Sequence, residues 1–344
     1  MHYGGELVRV VLALTAVLML AGAVPAVAAS APAPETLCQV KDKRLDELSG
    51  LVSDGEHWYA INDGGTKVQV FVLDRKCQVK DVLTDPTDPY DVEDLARGKD
   101  GTLWLSDTGD NRAKRETVAL LELKPTGGAA VVHRLTYPDG PHDTETLLLD
   151  QSGTPFLVTK DLLGTSKVYR PSGPLATPGP TKLEQVGTLR VHSTDTPGGP
   201  VGSFGSALIT GGATSADGKV IALRTYTDAY LYAAPDGDVA AALQREPVRI
   251  PLPNEKQGEA IAFEPDGTLL SASEGVGEPV RAIKNATGLV TPQAPAPKPG
   301  GAAAPQPADE DSGGFPLGPV AVAAVAAVVV LAAWVLMARK RRRS

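Results

Sequence analysis

Five turn glycines at near-regular spacing constrain this chain more than any other feature. Gly55, Gly101, Gly153, Gly218 and Gly267 are separated by 46, 52, 65 and 49 residues. Asp precedes the glycine in four copies, and the third reads Gln151-Ser152-Gly153. Such pairs between apolar runs signal hairpin turns. Short β-prone segments flank every turn, as in Val92–Ala96 followed by Thr102–Ser106. Third strands are expected at Val68–Leu73, Val118–Leu123, Ser166–Arg170, Ala229–Ala233 and Val280–Ile283, and fourth strands at Cys77–Leu83, Ala130–Leu135, Leu183–Val191 and Pro247–Pro251. A period near 50 with about four strands per unit predicts an all-β fold, a β-propeller of about five four-stranded blades. The 65-residue interval leaves room for a sixth.

The fifth copy has no fourth strand of its own, because a Pro-rich segment follows Ile283. The N-terminus can supply it. Cys38-Gln39-Val40-Lys41-Asp42 repeats as Cys77-Gln78-Val79-Lys80-Asp81, the start of the first copy's fourth strand. Residues 37–41 are therefore expected to close the ring and cover its open edges. This leaves Cys38 and Cys77 between two readings. An exported pair favours a disulfide, whereas equivalent outer strands of neighbouring blades would hold the Cα atoms beyond the ~7 Å a bridge tolerates.

Both ends of the chain read as targeting segments. Residues 1–29 carry Arg9, the apolar run Val10–Ala23 and small residues at Ala26–Ala29, the layout of a secretory signal peptide. Leu317–Ala338 is uncharged and long enough to span a bilayer as a helix. The basic tail 339–344 follows directly, which places the C-terminus in the cytoplasm and the rest outside. Residues 286–316 are rich in Pro, Ala and Gly and read as an extended linker. What remains, 36–285, is one exported domain tethered to the lipid bilayer of the cell membrane. Setting aside Glu6, Arg9 and the five tail cations leaves 27 basic against 40 acidic residues. That balance argues against nucleic acid as a partner.

Counting back eight residues from each turn glycine reaches Glu47, Glu93, Glu145, Thr210 and Glu259. The first strand of a propeller blade lines the central channel, so these carboxylates are expected to converge there. Asp91 and Asp143, two residues earlier, share their phase along a strand. Lys160, Arg224 and Arg115 are the candidate counter-charges, and Asn62, Asp63, Asp107, Asp110, Asn111 and Glu274 share the rim. Hard oxygen donors of this kind suit Ca²⁺. The alternative for each Glu is an acceptor for backbone N–H groups of the next blade. Asp107–Asn111 likewise reads either as a ligand loop or as a turn stabilised by its own side chains. Trp58 and Trp104 fall at one repeat position and are expected in the blade core. No nucleophile elbow, phosphate loop or His cluster is present.

The stretches Glu47–Leu51 with Asn62–Gly65, Asp91–Ala96 with Asp107–Asn111 and Arg115, Asp143–Leu147 with Thr159-Lys160, Arg224–Tyr226, and Gly258–Phe263 with Ser273–Gly275 resemble a family of exported, actinobacterial-type β-propellers. More distantly, the chain is similar to phytase-like, esterase-like and lactonase-like propellers. The resemblance implies channel carboxylates that hold Ca²⁺. Two functions follow as expectations. One is a membrane-anchored extracytoplasmic module that binds a protein or small-molecule ligand at the channel mouth. The other is a Ca²⁺-dependent phosphate- or acyl-ester hydrolase at the same place.

Overall fold

The structure, a computed structural model, describes residues 32–290. The signal segment expected over 1–29, most of the linker, the membrane helix expected over 317–338 and the tail at 339–344 lie outside the described residues. Within them, no helix is long and apolar enough to cross a membrane.

The chain begins with β1 (Glu35–Gln39) and then builds antiparallel units. The first is β2 (Leu48–Ser53), β3 (Trp58–Asn62), β4 (Val68–Leu73) and β5 (Val79–Asp85). The second is β6 (Val92–Arg97), β7 (Leu103–Asp107), β8 (Val118–Leu123) and β9 (Val131–Thr136). The third is β10 (Thr144–Leu149), β11 (Pro155–Thr159), β12 (Thr165–Pro171) and β13 (Thr181–Arg190). The fourth is β14 (Ile209–Thr214), β15 (Val220–Thr225), β16 (Asp228–Ala233) and β17 (Val248–Pro251). The last is β18 (Gly258–Phe263), β19 (Leu269–Ser273) and β20 (Pro279–Ile283), completed by β1 on β20. The long interval between Gly153 and Gly218 holds the ten-residue β13 and a 3-10 turn, Gly202–Ala207.

The first strands of the units touch in cyclic order, β2 to β6, β10, β14, β18 and back to β2. The architecture is all-β and propeller-like. Units two and three also join at their outer edges, where β9 and β13 pair in parallel through Leu135 and Thr181. The turn glycines behave as the sequence requires; Gly101 holds φ at 86°, a conformation costly for any side chain with a Cβ.

Apolar side chains pack between units rather than in one central core. Leu51, Trp58 and Phe71 of the first unit meet Ala260, Leu270 and Val280 of the last. Leu148, Phe156 and Val158 of the third meet Ile221, Leu223 and Tyr230 of the fourth. Both faces of the inner strands are consequently buried, and those strands read as near-continuous apolar runs, while the outer strands such as β5 keep exposed positions. Strand β18, Gly258–Phe263, is buried at every position.

The closing seam is stapled. Cys38 and Cys77 form a disulfide with Cα atoms 5.8 Å apart. The geometric objection fails because Cys77 is not in an outer strand. It sits in the β4–β5 turn with φ of 61°, two residues before β5 begins, and faces β1 across the seam. Glu264 reinforces the junction: its carboxylate accepts Trp58 Nε1 at 2.8 Å, Ser53 Oγ at 2.5 Å and Arg75 at 2.5 Å.

Candidate functional site

Every first strand loses register once, at the same place. The pairing skips Ser49 in β2, Glu93 in β6, Glu145 in β10, Thr210 in β14 and Glu259 in β18. A bulge leaves one residue outside the ladder and re-aims it. Here that residue points to the channel, and all five are buried, none more than 4% exposed. The hydroxyls bind the next unit: Ser49 Oγ donates to the Glu93 carbonyl and Thr210 Oγ1 donates to the Gly258 carbonyl at 2.8 Å.

Glu47, expected in this ring, is not in it; Ser49 holds the position. The reason is hairpin geometry. Four residues separate Ser53 from its partner Trp58, but five separate Arg97 from Leu103. The turn glycine also falls two places earlier, so counting back from Gly55 overshoots by two. The same mismatch places Trp58 and Trp104 on opposite faces. Trp58 is fully buried at the seam, whereas Trp104 is half-buried and stacks on His133.

Glu47 instead joins a second tier. Its carbonyl accepts Asp63 N at 2.8 Å, as Asp143 O accepts Lys160 N at 3.0 Å and Gln257 O accepts Glu274 N at 2.9 Å. These equivalent bonds bring Glu47, Asp63, Asp91, Asp143 and Glu274, all half-buried, over the buried Glu93, Glu145 and Glu259. Carboxylate oxygens of Asp63, Asp91 and Glu93 lie within 4.8 Å of one another, and so do those of Glu93, Asp143 and Glu145. Glu259 belongs to neither set; its carboxyl meets that of Glu274. Gly109 lets the sets form, because a Cβ there would overlap the Glu93 and Asp91 carboxylates.

Crowding of like charge in a desolvated place favours the protonated form. Burial, then the Asp63 carboxylate, pushes Asp91 up to about 7. Burial, with Asp63 and Glu47 nearby, does the same to Glu274, also to about 7. Glu93, Glu145 and Glu259 rise well above the usual carboxylate range, burial first and neighbouring carboxylates second. Lys160 partly relieves the crowding. Burial alone would lower it, but Glu145 and its acidic neighbours carry it upward, and it remains an ammonium. Its Nζ donates to Glu145 Oε1 at 2.5 Å and lies 5.2 Å from the centre of the Tyr226 ring. Glu145 Oε2, Glu259 Oε2 and Glu274 Oε1 are buried with no hydrogen-bond donor. Of these, Glu145 Oε2 belongs to a three-carboxylate set, Glu93–Asp143–Glu145, and hard oxygen donors with an unmet acceptor fit Ca²⁺.

Of the sequence candidates, Glu93, Glu145 and Lys160 converge here. Arg224 does not. Its guanidinium is fully buried and donates to Ala260 O at 2.9 Å, to Ala272 O at 3.2 Å and to Glu255 Oε2 at 2.6 Å. Gly258 makes room for it, since a Cβ there would overlap the guanidinium. Asp107, Asp110 and Arg115 build the loop rather than line the mouth. Asp107 Oδ1 accepts Asp91 N and Arg115 Nη2, both at 2.9 Å. Asp110 Oδ2 accepts the Lys114 and Arg115 amides at 2.6 Å, and Arg115 covers the Tyr90 ring at 4.5 Å. Asn111 is exposed at the loop tip.

Asp94 has a role that sequence reading missed. It is fully buried, accepts Leu95 N and Leu147 N at 2.8 Å and Gly212 N at 3.3 Å, and so joins three units at the channel floor. A second acid beside Glu93 in an otherwise apolar strand was its one visible signal. Beyond it the channel opens on the opposite face into a cavity of about 600 Å³ lined by Leu95, Leu147, Leu149, Ala262 and Phe263.

No protein-family model matches the chain, and no curated protein does. Solved structures similar to it include the PQQ-bound aldose sugar dehydrogenase from Streptomyces coelicolor, at 10% identity over 74% of this chain and 99% of that one, with a TM-score of 0.40. The streptogramin B lyase is similar at 11% identity over 71% and 96%, with a TM-score of 0.37. The Cps50 (Swd1) β-propeller domain of Myceliophteria thermophila is similar at 11% over 73% and 99%, with a TM-score of 0.38. Likenesses this distant say nothing about activity.

Proposed function

We propose that this protein is an exported, membrane-anchored five-bladed β-propeller that works as a binding module, taking a cation or cation-bearing ligand at the acidic mouth of its channel. The blade count is supported by the cyclic order of the five inner strands. Export and anchoring are supported by the sequence of the two ends and agree with the disulfide at the seam. The observation that carries the binding role is the Glu93–Asp143–Glu145 set of the two-tier cluster, in which buried Glu145 keeps an oxygen without a hydrogen-bond partner. A cluster of this kind raises the energy of the empty protein, and a bound cation removes that cost. Isothermal calorimetry of the full chain in lipid nanodiscs with CaCl₂ tests it, alongside melting with and without chelator. Absence of heat and of any stabilisation by cations would overturn the reading.

A second reading, Ca²⁺-dependent hydrolysis of a phosphate or acyl ester, is favoured by Lys160 standing beside the Glu93–Asp143–Glu145 set. In that arrangement the carboxylates hold the metal and the ammonium meets a substrate anion. Calcium-dependent turnover of p-nitrophenyl esters, lost in Glu93→Gln, separates the two readings.

A further inference from the structure

The acidic mouth has an apolar rim. Among the described residues, the large apolar side chains more than a third exposed are Leu37, Tyr90, Val131, Leu162, Leu163 and Val276. Leu37 and Val131 lie on the outer strands β1 and β9. The other four lie on connections that strand direction puts at the mouth. Tyr90, 71% exposed, is in the β5–β6 connection and directly precedes Asp91. Leu162 and Leu163, 49% and 76% exposed, are in the β11–β12 loop that starts at Lys160. Val276, 46% exposed, is in the β19–β20 loop that starts at Glu274.

Exposed apolar side chains grouped around a cleft mark a site of protein interaction, and the sign of the charge inside it selects the partner. We infer that the mouth binds a protein segment that presents a lysine or arginine side chain flanked by apolar residues. The basic head would meet the half-buried tier of Asp63, Asp91, Asp143 and Glu274, and the flanking side chains would cover Tyr90, Leu162, Leu163 and Val276. Two observations besides the charge point to such an occupant. Glu145, buried and part of the Glu93–Asp143–Glu145 set, directs an oxygen without a hydrogen-bond partner into the cluster. Lys160 already shows how the site treats an ammonium, with a carboxylate at 2.5 Å and an aromatic ring at 5.2 Å. A simple inorganic cation would have no use for four exposed apolar side chains on the surrounding loops.

The inference rests on the binding role proposed above and narrows its ligand. It is tested with the full chain in nanodiscs and a fluorescein-labelled peptide, Gly-Leu-Lys-Leu-Phe-Gly, with blocked ends. Fluorescence anisotropy is read against the same peptide carrying norleucine in place of lysine, and CaCl₂ is titrated separately by calorimetry. The lysine peptide should bind about tenfold tighter than the norleucine peptide, the worth of one charge contact at a partly desolvated site. The double variant Leu162→Ser/Leu163→Ser should weaken the lysine peptide about fivefold or more through lost apolar contact while leaving the calcium isotherm unchanged. Equal binding of the two peptides, or full peptide affinity in the double variant, overturns the inference. Calcium binding with no peptide binding overturns it and leaves the binding-module reading standing, whereas silence toward both removes the two together.

Discussion

Asp94 Oδ2 accepts the amide of Gly212 at 3.3 Å, a bond across the channel between residues 118 apart in sequence. The same carboxylate takes the Leu147 and Leu95 amides. It therefore ties together three units through backbone amides. Burial pushes its pKa up while the three amides oppose that shift. Asp94→Ala should strand buried N–H groups at about 1–3 kcal/mol each. Urea denaturation should show a loss of roughly 3 kcal/mol or more, with Asp94→Asn losing less because one acceptor oxygen survives.

Stability should fall as pH rises through the range where the mouth ionises. Asp91 and Glu274 titrate at about 7 in the folded protein, against about 4 in an unfolded chain. Between those values the native state binds more protons than the unfolded state, so acid stabilises and alkali destabilises. The opposite sign holds for Asp139, lowered to about 2 mainly by Lys167 and His142 against the effect of burial. Its contribution is present above about pH 4 and is lost as pH falls toward 2. Melting scans should peak near pH 4–5 and decline toward pH 8, and saturating CaCl₂ should flatten the decline. A flat profile without cation would contradict the electrostatics described here.

Glu93→Gln should stabilise the cation-free protein, because burial and the neighbouring carboxylates make the folded state hold at Glu93 a proton that the unfolded chain gives up at neutral pH, and a glutamine escapes that cost. The melting temperature should rise by roughly 2–4 °C per kcal/mol recovered in a domain of this size. The same variant should lose most of the stabilisation that CaCl₂ gives the wild type. Differential scanning fluorimetry reads both effects on one plate.

Gly109→Ala should damage the site without touching a carboxylate. The added Cβ would occupy the space of the Glu93 and Asp91 side chains and force them apart. Cation affinity measured by calorimetry should drop about tenfold, equivalent to roughly 1.4 kcal/mol.

Replacing both Cys38 and Cys77 with Ser should cost stability through the unfolded state. The bridge closes a span of 39 residues, for which the chain-entropy model gives about 4 kcal/mol. The seam would then rest on β1 pairing with β20 and on the Glu264 contacts. Reductant should lower the melting temperature of the wild type to that of the variant.

The fold was legible because its signals are local and repeated. Each Asp-Gly turn fixes a hairpin, and the fourth strand missing after Ile283 pointed to β1 before any contact was known. The site was legible only in part. Glu93, Glu145 and Glu259 were found by spacing, and the same spacing put Glu47 where Ser49 stands. Nothing in the sequence reports a bulge, and a hairpin shorter by one residue turns every side chain behind it to the other face. Trp58 and Trp104 record that slip directly.

Sequence alone determined the all-β repeat pattern and its period, the closing strand, and an excess of acid near one end of the channel. Tertiary structure decided which acids share a space and which cation answers them. Lys160 directly follows β11 and faces Glu145 in the mouth, whereas Arg224 lies inside β15, opposite Gly211, and is spent on carbonyls of the next unit. That two-residue offset is set by strand register, and the buried place Arg224 takes also needs a neighbour far off in sequence, Gly258, whose missing side chain leaves room for the guanidinium. A charge is encoded by one residue, but its environment is encoded by all the residues that surround it.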